Sequence, residues 1–399
     1  MKGLRMMKEI ENWLNRGIII EAQFEETSKD YESNASSSWL IWLATFLIGL
    51  SILLLALSDW AQIPNVMKVF ILFFFMLTVY VLGFWLITSK RLSRIKRNHI
   101  LGLSMISLGY VLFGATLILL AVMYDVTLWS AWPFVWWSAI GLLLYIIVPH
   151  PFLFSIALVV TVTGQIFSAF QLGLFNYLLF FIFFFGYFHF VFHRGTRAIH
   201  YLFSIGLVIQ LLLFNLVVLQ QFYTFSLLLL MMFALSIVLP RRVLYERMAL
   251  VTTLALMFYK VYEALAIQNT IMMDELQLRV SFFVLYIPLF LLLFVLLFFI
   301  RREQRSTLLL FLPVFFLPQG GLFIIIIFFI YALAMFMKRG RKYDGTFVLL
   351  GFTSFVLGVI TILLQDQWSL LVQSMLLLLI GIVFFLFYVA FEKRGRGFL

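Results

Sequence analysis

The sequence predicts an all-α, polytopic transmembrane helical bundle of about fourteen hydrophobic segments, preceded by a short N-terminal helical hairpin. Composition, the spacing of the apolar runs and a one-sided distribution of basic residues carry that prediction. Of the 399 residues, 64% are hydrophobic and 11% charged, against roughly half apolar and a quarter charged in a soluble domain. A soluble chain of this composition would expose apolar surface that it could not cover, and a disordered chain is excluded on the same ground.

Apolar runs bounded by charge clusters and breakers fall at 39–57, 66–88, 100–123, 131–148, 152–170, 174–192, 199–219, 221–239, 248–267, 280–300, 307–318, 321–337, 345–364 and 368–391. Most match the ~17–25 residues that a helical span needs. The run 307–318 is short for a crossing, and the sequence predicts half of a helical hairpin turning at Pro318-Gln319-Gly320-Gly321. The break Pro149-His150-Pro151 carries no charge, so it separates two spans on helix-breaking chemistry alone.

The net charge is +11. In a soluble protein that excess would point to nucleic acid, but here it reads as loop bias, and no nucleic-acid partner is expected. If the N-terminus is cytoplasmic and every segment crosses, clusters such as Lys90–Arg97, Arg241–Arg247, Arg301–Arg305 and Lys338–Lys342 face one side. Together with both tails they place 25 of the 28 Lys and Arg there, as the positive-inside rule requires. The opposite loops carry Asp59, Asp125, Asp274, Glu275 and Asp366. Trp60, Trp129, Trp132, Trp136, Trp137 and Trp368 fall near that outer interface, where amphipathic rings settle. The expected location is a bacterial cytoplasmic membrane, with both termini in the cytoplasm.

Three parts follow: a cytoplasmic appendage over 1–38, a transmembrane domain over 39–392 and a basic cytoplasmic tail over 393–399. The first part is polar, with no apolar run, so the first span is expected to serve as its own signal. Leu4, Met7, Ile10, Trp13 and Leu14 recur at helical spacing before Gly17, and Phe24 and Tyr31 mark a second short helix. Such a hairpin suits docking on the membrane domain or on a membrane-protein partner. Cysteine is absent, which removes disulfides, thiolate metal sites and cysteine nucleophiles.

Trp13, Gly17-Ile18-Ile19, a helical stretch, a first span, then Asp59-Trp60 and Ile63-Pro64 before the second span resemble the start of the bacterial membrane-protein family called domain of unknown function 2157. Residues 343–391 resemble a companion family, domain of unknown function 4401, through Gln365-Asp366-Gln367-Trp368, Leu370-Leu371, Gln373-Ser374 and Gly381. Gln373 stands where that pattern favours Lys. The resemblance implies a bacterial multi-span architecture and carries no chemistry with it.

Lys260 and Glu263 are the sharpest candidate site. They sit three apart inside the span 248–267, hence on one helix face and able to pair. A charge at mid-membrane costs about 2.5–3.5 kcal/mol on insertion scales, so a neutral pair facing the bundle interior is the cheap arrangement. It reads either as an ion, proton or polar-substrate site or as an internal pair that fixes helix rotation. Gln165, Gln210, Asn215 and Gln373 are weaker polar candidates, each also able to make an interhelical hydrogen bond. His189 and His193 lie four apart, but two ligands are not a metal site, and no metal is expected. Gly102, Gly109, Gly114, Gly351 and Gly358 permit close helix approach.

No Walker A loop, Gly-x-Ser-x-Gly elbow or His-Glu-x-x-His motif is present, so no catalytic residue and no cofactor is expected. The leading expectation is a non-enzymatic, transporter-like or flippase-like activity in the lipid bilayer. A membrane scaffold subunit of a larger complex is the alternative, and a membrane-embedded lipid-modifying enzyme ranks last. A cavity reaching Lys260 and Glu263 would favour transport, a large apolar groove without polar lining would favour the scaffold, and two or more convergent carboxylates or histidines near one interface would favour the enzyme.

Overall fold

The computed structural model describes residues 44–45, 47–49, 51, 63–88, 96–126, 130–221, 223–239, 242–268, 280–300, 302–314, 320–339, 345–365 and 368–396. The expected hairpin over 1–38, most of the first apolar run, and Asp59, Trp60, Trp129, Asp274, Glu275 and Asp366 lie outside them.

Among the described residues the fold is all helical. The elements are α1 (Asn65–Thr88), α2 (Lys96–Met123), α3 (Trp132–Ile147), α4 (Pro151–Gln171), α5 (177–194), α6 (Arg197–Leu219), α7 (Thr224–Val238), α8 (Arg242–Gln268), α9 (Val280–Phe299), a 3₁₀ segment (Arg302–Phe311), α10 (Gly320–Arg339), α11 (Gly345–Leu363) and α12 (Leu370–Arg396). Eight of these helices are long and apolar enough to cross a membrane, and α3, α5, α7 and α12 offer shorter apolar stretches. The chain is therefore a polytopic helical membrane protein. From the second apolar run onward, each run coincides in order with one element.

Local chemistry explains the boundaries. Pro133 sits in the first turn of α3 and Pro151 opens α4, positions where a missing N–H costs nothing. Asn176 caps α5 through Leu179 N at 3.1 Å. Thr196 caps α6 through Ile199 N.

The run 307–318 starts within a 3₁₀ helix, Arg302–Phe311, and Pro318 and Gln319 of the turn expected at Pro318–Gly321 lie outside the described residues. Residues 312–314 are irregular. Pro313 explains the stop, since proline has no N–H and disfavours the α region in the residue before it. Ten residues of 3₁₀ helix rise about 20 Å at ~2.0 Å each. Arg305 fastens the start of this segment, donating to Phe298 O at 2.9 Å and lying 4.0 Å above the Phe298 ring.

The chain divides into two compact units, Met1–Phe167 and Ser168–Leu399. In the first, α1 and α2 share a seam of Leu72, Val79, Leu112, Ala115 and Leu119. A Cβ on Gly102 would come within 2.8 Å of Ile87, so the helices approach there because the side chain is absent. Between α2 and α3, the Tyr110 hydroxyl donates to Trp137 O at 2.9 Å, and Trp137 Nε1 donates to Tyr110 O at 3.1 Å. Trp137 is buried. Its expected interfacial place belongs to Trp132 and Trp136, which are exposed on another face of the same helix.

The second unit has a core drawn from α7 to α11 and the 3₁₀ segment, including Phe233, Leu256, Leu293, Phe311 and Phe328. Phe183, inside a π-helical turn of α5 (Ile182–Tyr187), stacks on Phe203 of α6 at 4.9 Å. Gly351 and Gly358 admit α10 closely to α11, with Met335 and Phe329 at 3.2 and 3.1 Å from a notional Cβ. α6 and α8 run parallel: Arg247 donates to the Tyr201 hydroxyl near their starts, and both line one pocket near their ends.

Candidate functional site

Lys260 and Glu263 lie on α8 in the second unit and are 2% and 0% exposed. Lys260 Nζ is 2.7 Å from Glu263 Oε2, so they form the pair that the i, i+3 spacing permits. The same ammonium donates to the carbonyl of Leu312 at 2.9 Å. One position earlier, the Tyr286 hydroxyl from α9 donates to the carbonyl of Phe311. Carbonyls at a helix C-terminus lack intrahelical donors, and two side chains from two helices supply them here. The negative end of a helix also favours a cation.

Electrostatics make the cluster self-contained. Tyr259 and Tyr286 are within electrostatic reach of Glu263, and Tyr259 shares a side-chain hydrogen bond with Ser226 of α7. Glu263 Oε1 has no hydrogen-bond partner among the described residues. The net charge of the pair is zero, the arrangement that keeps two buried ions affordable.

A pocket of 690 Å³ lies beyond Tyr259, lined by residues of α6, α7, α8 and the α6–α7 turn. Its polarity follows the helix axes. Val208, Leu212 and Ala255 line the end nearer the basic starts of α6 and α8, and Asn215, Gln220, Gln221, Tyr259 and Tyr262 line the other, interleaved with Leu216, Phe225 and Phe258. Leu212, Leu216, Phe258 and Tyr262 are all exposed, so the pocket opens sideways through the helix wall. Among the described residues the lining includes Tyr259 and Tyr262 but neither Lys260 nor Glu263, so this is not the cavity reaching the pair that would favour transport.

A π-helical turn, Asn215–Leu219, shapes the polar end and closes on Gln220 in the left-handed region at φ 52°. π turns inside α-helices are rare and concentrate at functional sites. Asn215 is 4% exposed, and its Oδ1 accepts from the Thr224 hydroxyl, which also lies 2.6 Å from Gln221 O.

The other polar candidates do not join this cluster. Gln165 is buried in the first unit. Gln210 is buried, with no hydrogen-bond partner for either polar atom among the described residues. Gln373 is buried and donates to Gln365 O at 3.0 Å. His189 and His193 stack at 4.4 Å on an exposed face. Among the described residues no three His, Asp or Glu converge as a metal set would.

Sequence reasoning found Lys260, Glu263 and Asn215 but missed Tyr286, the Leu312 carbonyl, Tyr259 and the pocket. Pro313 was the available signal, since a proline in an apolar run marks carbonyls that need donors from elsewhere.

No curated protein and no solved structure matches the chain. Of the two resemblances, the N-terminal one is shown, and the one over 343–391 is not. Residues 11–154 match the model of a family described as a predicted membrane protein (DUF2157), so this part of the chain is similar to that family.

Proposed function

We propose that the chain is a non-enzymatic membrane protein that binds an amphiphilic molecule and moves it, in the manner of a transporter or flippase. The observation behind this reading is the 690 Å³ lateral pocket, apolar toward one end and polar toward the other along the helix axes. Its size suits a small ligand, and its polarity gradient follows that of a molecule lying in a bilayer leaflet. In this reading the protein lies in a bacterial cytoplasmic membrane with both termini inside, and the polar end of the pocket faces the outer interface. Lys260 and Glu263 act as supports behind the pocket wall rather than as its lining. The scaffold reading rests on residues 1–38, which lie outside the described residues.

The test is reconstitution of the full chain into vesicles containing a fluorescent lipid, with a membrane-impermeant quencher reading exposure in the outer leaflet. Faster exchange with wild-type protein than with Leu216→Trp, which narrows the pocket mouth, supports transport. Equal rates for wild type, Leu216→Trp and protein-free vesicles overturn it.

A further inference from the structure

The pocket lining identifies the ligand's chemical class. We infer that the pocket takes an amphiphile with an uncharged, hydrogen-bonding head group, a hydroxyl- or amide-bearing head rather than a phosphate, with its chain along Val208, Leu212 and Ala255. This inference rests on the reading that the pocket holds an amphiphile, and it adds the nature of the head.

Among the described residues, none of the eleven that line the pocket is charged. Beside Leu216, Phe225 and Phe258, the polar end carries three carboxamides, Asn215, Gln220 and Gln221, and two phenols, Tyr259 and Tyr262. Asn215 Oδ1 already accepts from Thr224 and Gln220 Nε2 already donates to Val217 O, so Gln221 is the carboxamide most open to a ligand. Carboxamides and phenols each donate and accept hydrogen bonds, which matches a head group that also does both. A phosphate head entering this end would shed water with no Arg, Lys or His among the described lining residues to receive its charge, and burying an unpaired ion is expensive. Lys260, next to Tyr259 in the chain, already serves Glu263 and the Leu312 carbonyl, so it is not on offer. A wholly apolar ligand is less suited, because the Gln221 amide would lose water and gain no hydrogen bond from it.

Native mass spectrometry of the purified full chain tests this with three probes sharing one hydrocarbon chain length. They are monoolein, with a neutral glycerol head, 1-oleoyl-lysophosphatidylglycerol, with an anionic head, and 1-octadecene, with no head. Monoolein should be retained about tenfold more than either other probe. Leu216→Trp at the exposed mouth and Ala255→Trp at the apolar end should each abolish that retention, the first without touching the core. Gln221→Leu with Tyr262→Phe should bring monoolein down to the octadecene level. Equal or stronger retention of the anionic probe, blocked by Leu216→Trp, overturns the uncharged head class while leaving an amphiphile pocket in place. Monoolein retention unchanged by the Gln221→Leu, Tyr262→Phe pair overturns the assignment of the polar end. Insensitivity of all three probes to both tryptophan variants overturns the inference together with the pocket reading beneath it.

Discussion

The ammonium of Lys260 lies 2.9 Å from the carbonyl oxygen of Leu312, fifty-two positions further along the chain. This contact joins two irregularities that look unrelated in sequence, a charge inside one apolar span and a proline inside another. Pro313 stops the 3₁₀ helix and leaves backbone carbonyls within a buried core. Irregular backbone in a membrane protein persists only where protein groups satisfy it. Lys260 satisfies one carbonyl, Tyr286 the next, and Glu263 balances the charge that does so. The intramembrane pair is thus part of the repair of a broken helix.

Removing Glu263 alone should be the most damaging change at this site. Glu263→Ala leaves Lys260 buried without its counter-charge, a loss that typically costs about 3–5 kcal/mol. Lys260→Met with Glu263→Leu removes both charges and keeps the volume, so it should recover most of that loss. The recovery should fall short by about 1 kcal/mol, because Leu312 O still loses its donor. Thermal unfolding of the three proteins in detergent measures this, and a double variant no more stable than Glu263→Ala would contradict the structural role of the pair.

Tyr286→Phe should act on the broken segment without touching any charge. It deletes the hydroxyl that serves Phe311 O, at a cost of about 1–3 kcal/mol when a buried acceptor is left without a donor. Amide hydrogen exchange should rise in peptides covering 302–314 and stay unchanged in α1 and α2. A uniform rise across the chain would instead indicate global destabilisation.

The sequence exposed the helices more readily than the site. Apolar runs from 66–88 to 368–391 coincide with helical elements because a span must be apolar along its whole length. Even the uncharged break at Pro149–Pro151 was legible, since α3 ends at Ile147 and α4 begins at Pro151. The Lys260–Glu263 pair was legible because both partners carry charged side chains on one helix. Leu312 was not, because its role rests on a backbone carbonyl that any residue would carry. The pocket was hidden for another reason. Its polar end combines residues of α6, α7, α8 and the turn after a π-helical segment, and no spacing rule brings Gln221 beside Tyr262. Trp137 shows the limit of composition, since adjacent tryptophans on one helix face different surroundings.

The proposed topology makes a direct prediction. Because 25 of the 28 basic residues fall on one side when both termini are placed inside, reporter fusions at Leu399 and near Asp274 should report opposite faces of the membrane. Same-side readouts would require an odd number of crossings to be gained or lost between them. That shift would also scatter the basic clusters Arg301–Arg305 and Lys338–Lys342 away from Arg241–Arg247.

The α2–α3 contact should show the sharpest size limit among the described glycines. A Cβ on Gly114 would stand 1.9 Å from Trp137 Cε2, deep inside contact distance. Trp137 cannot simply swing away, because its Nε1 is held by Tyr110 O and its own carbonyl by the Tyr110 hydroxyl. Gly114→Ala should therefore destabilise by about 1–3 kcal/mol, the usual range for overpacking. Gly381 on α12 supplies the control, since nothing lies within 4 Å of its notional Cβ. Gly381→Ala should be neutral or stabilise by up to about 1 kcal/mol through helix propensity. Adding Trp137→Ala to Gly114→Ala removes the clashing ring, so the double variant should lose less than the sum of the two single changes. Additive losses in thermal unfolding would show that α2 and α3 relax independently, and that the Tyr110–Trp137 exchange does not fix their spacing.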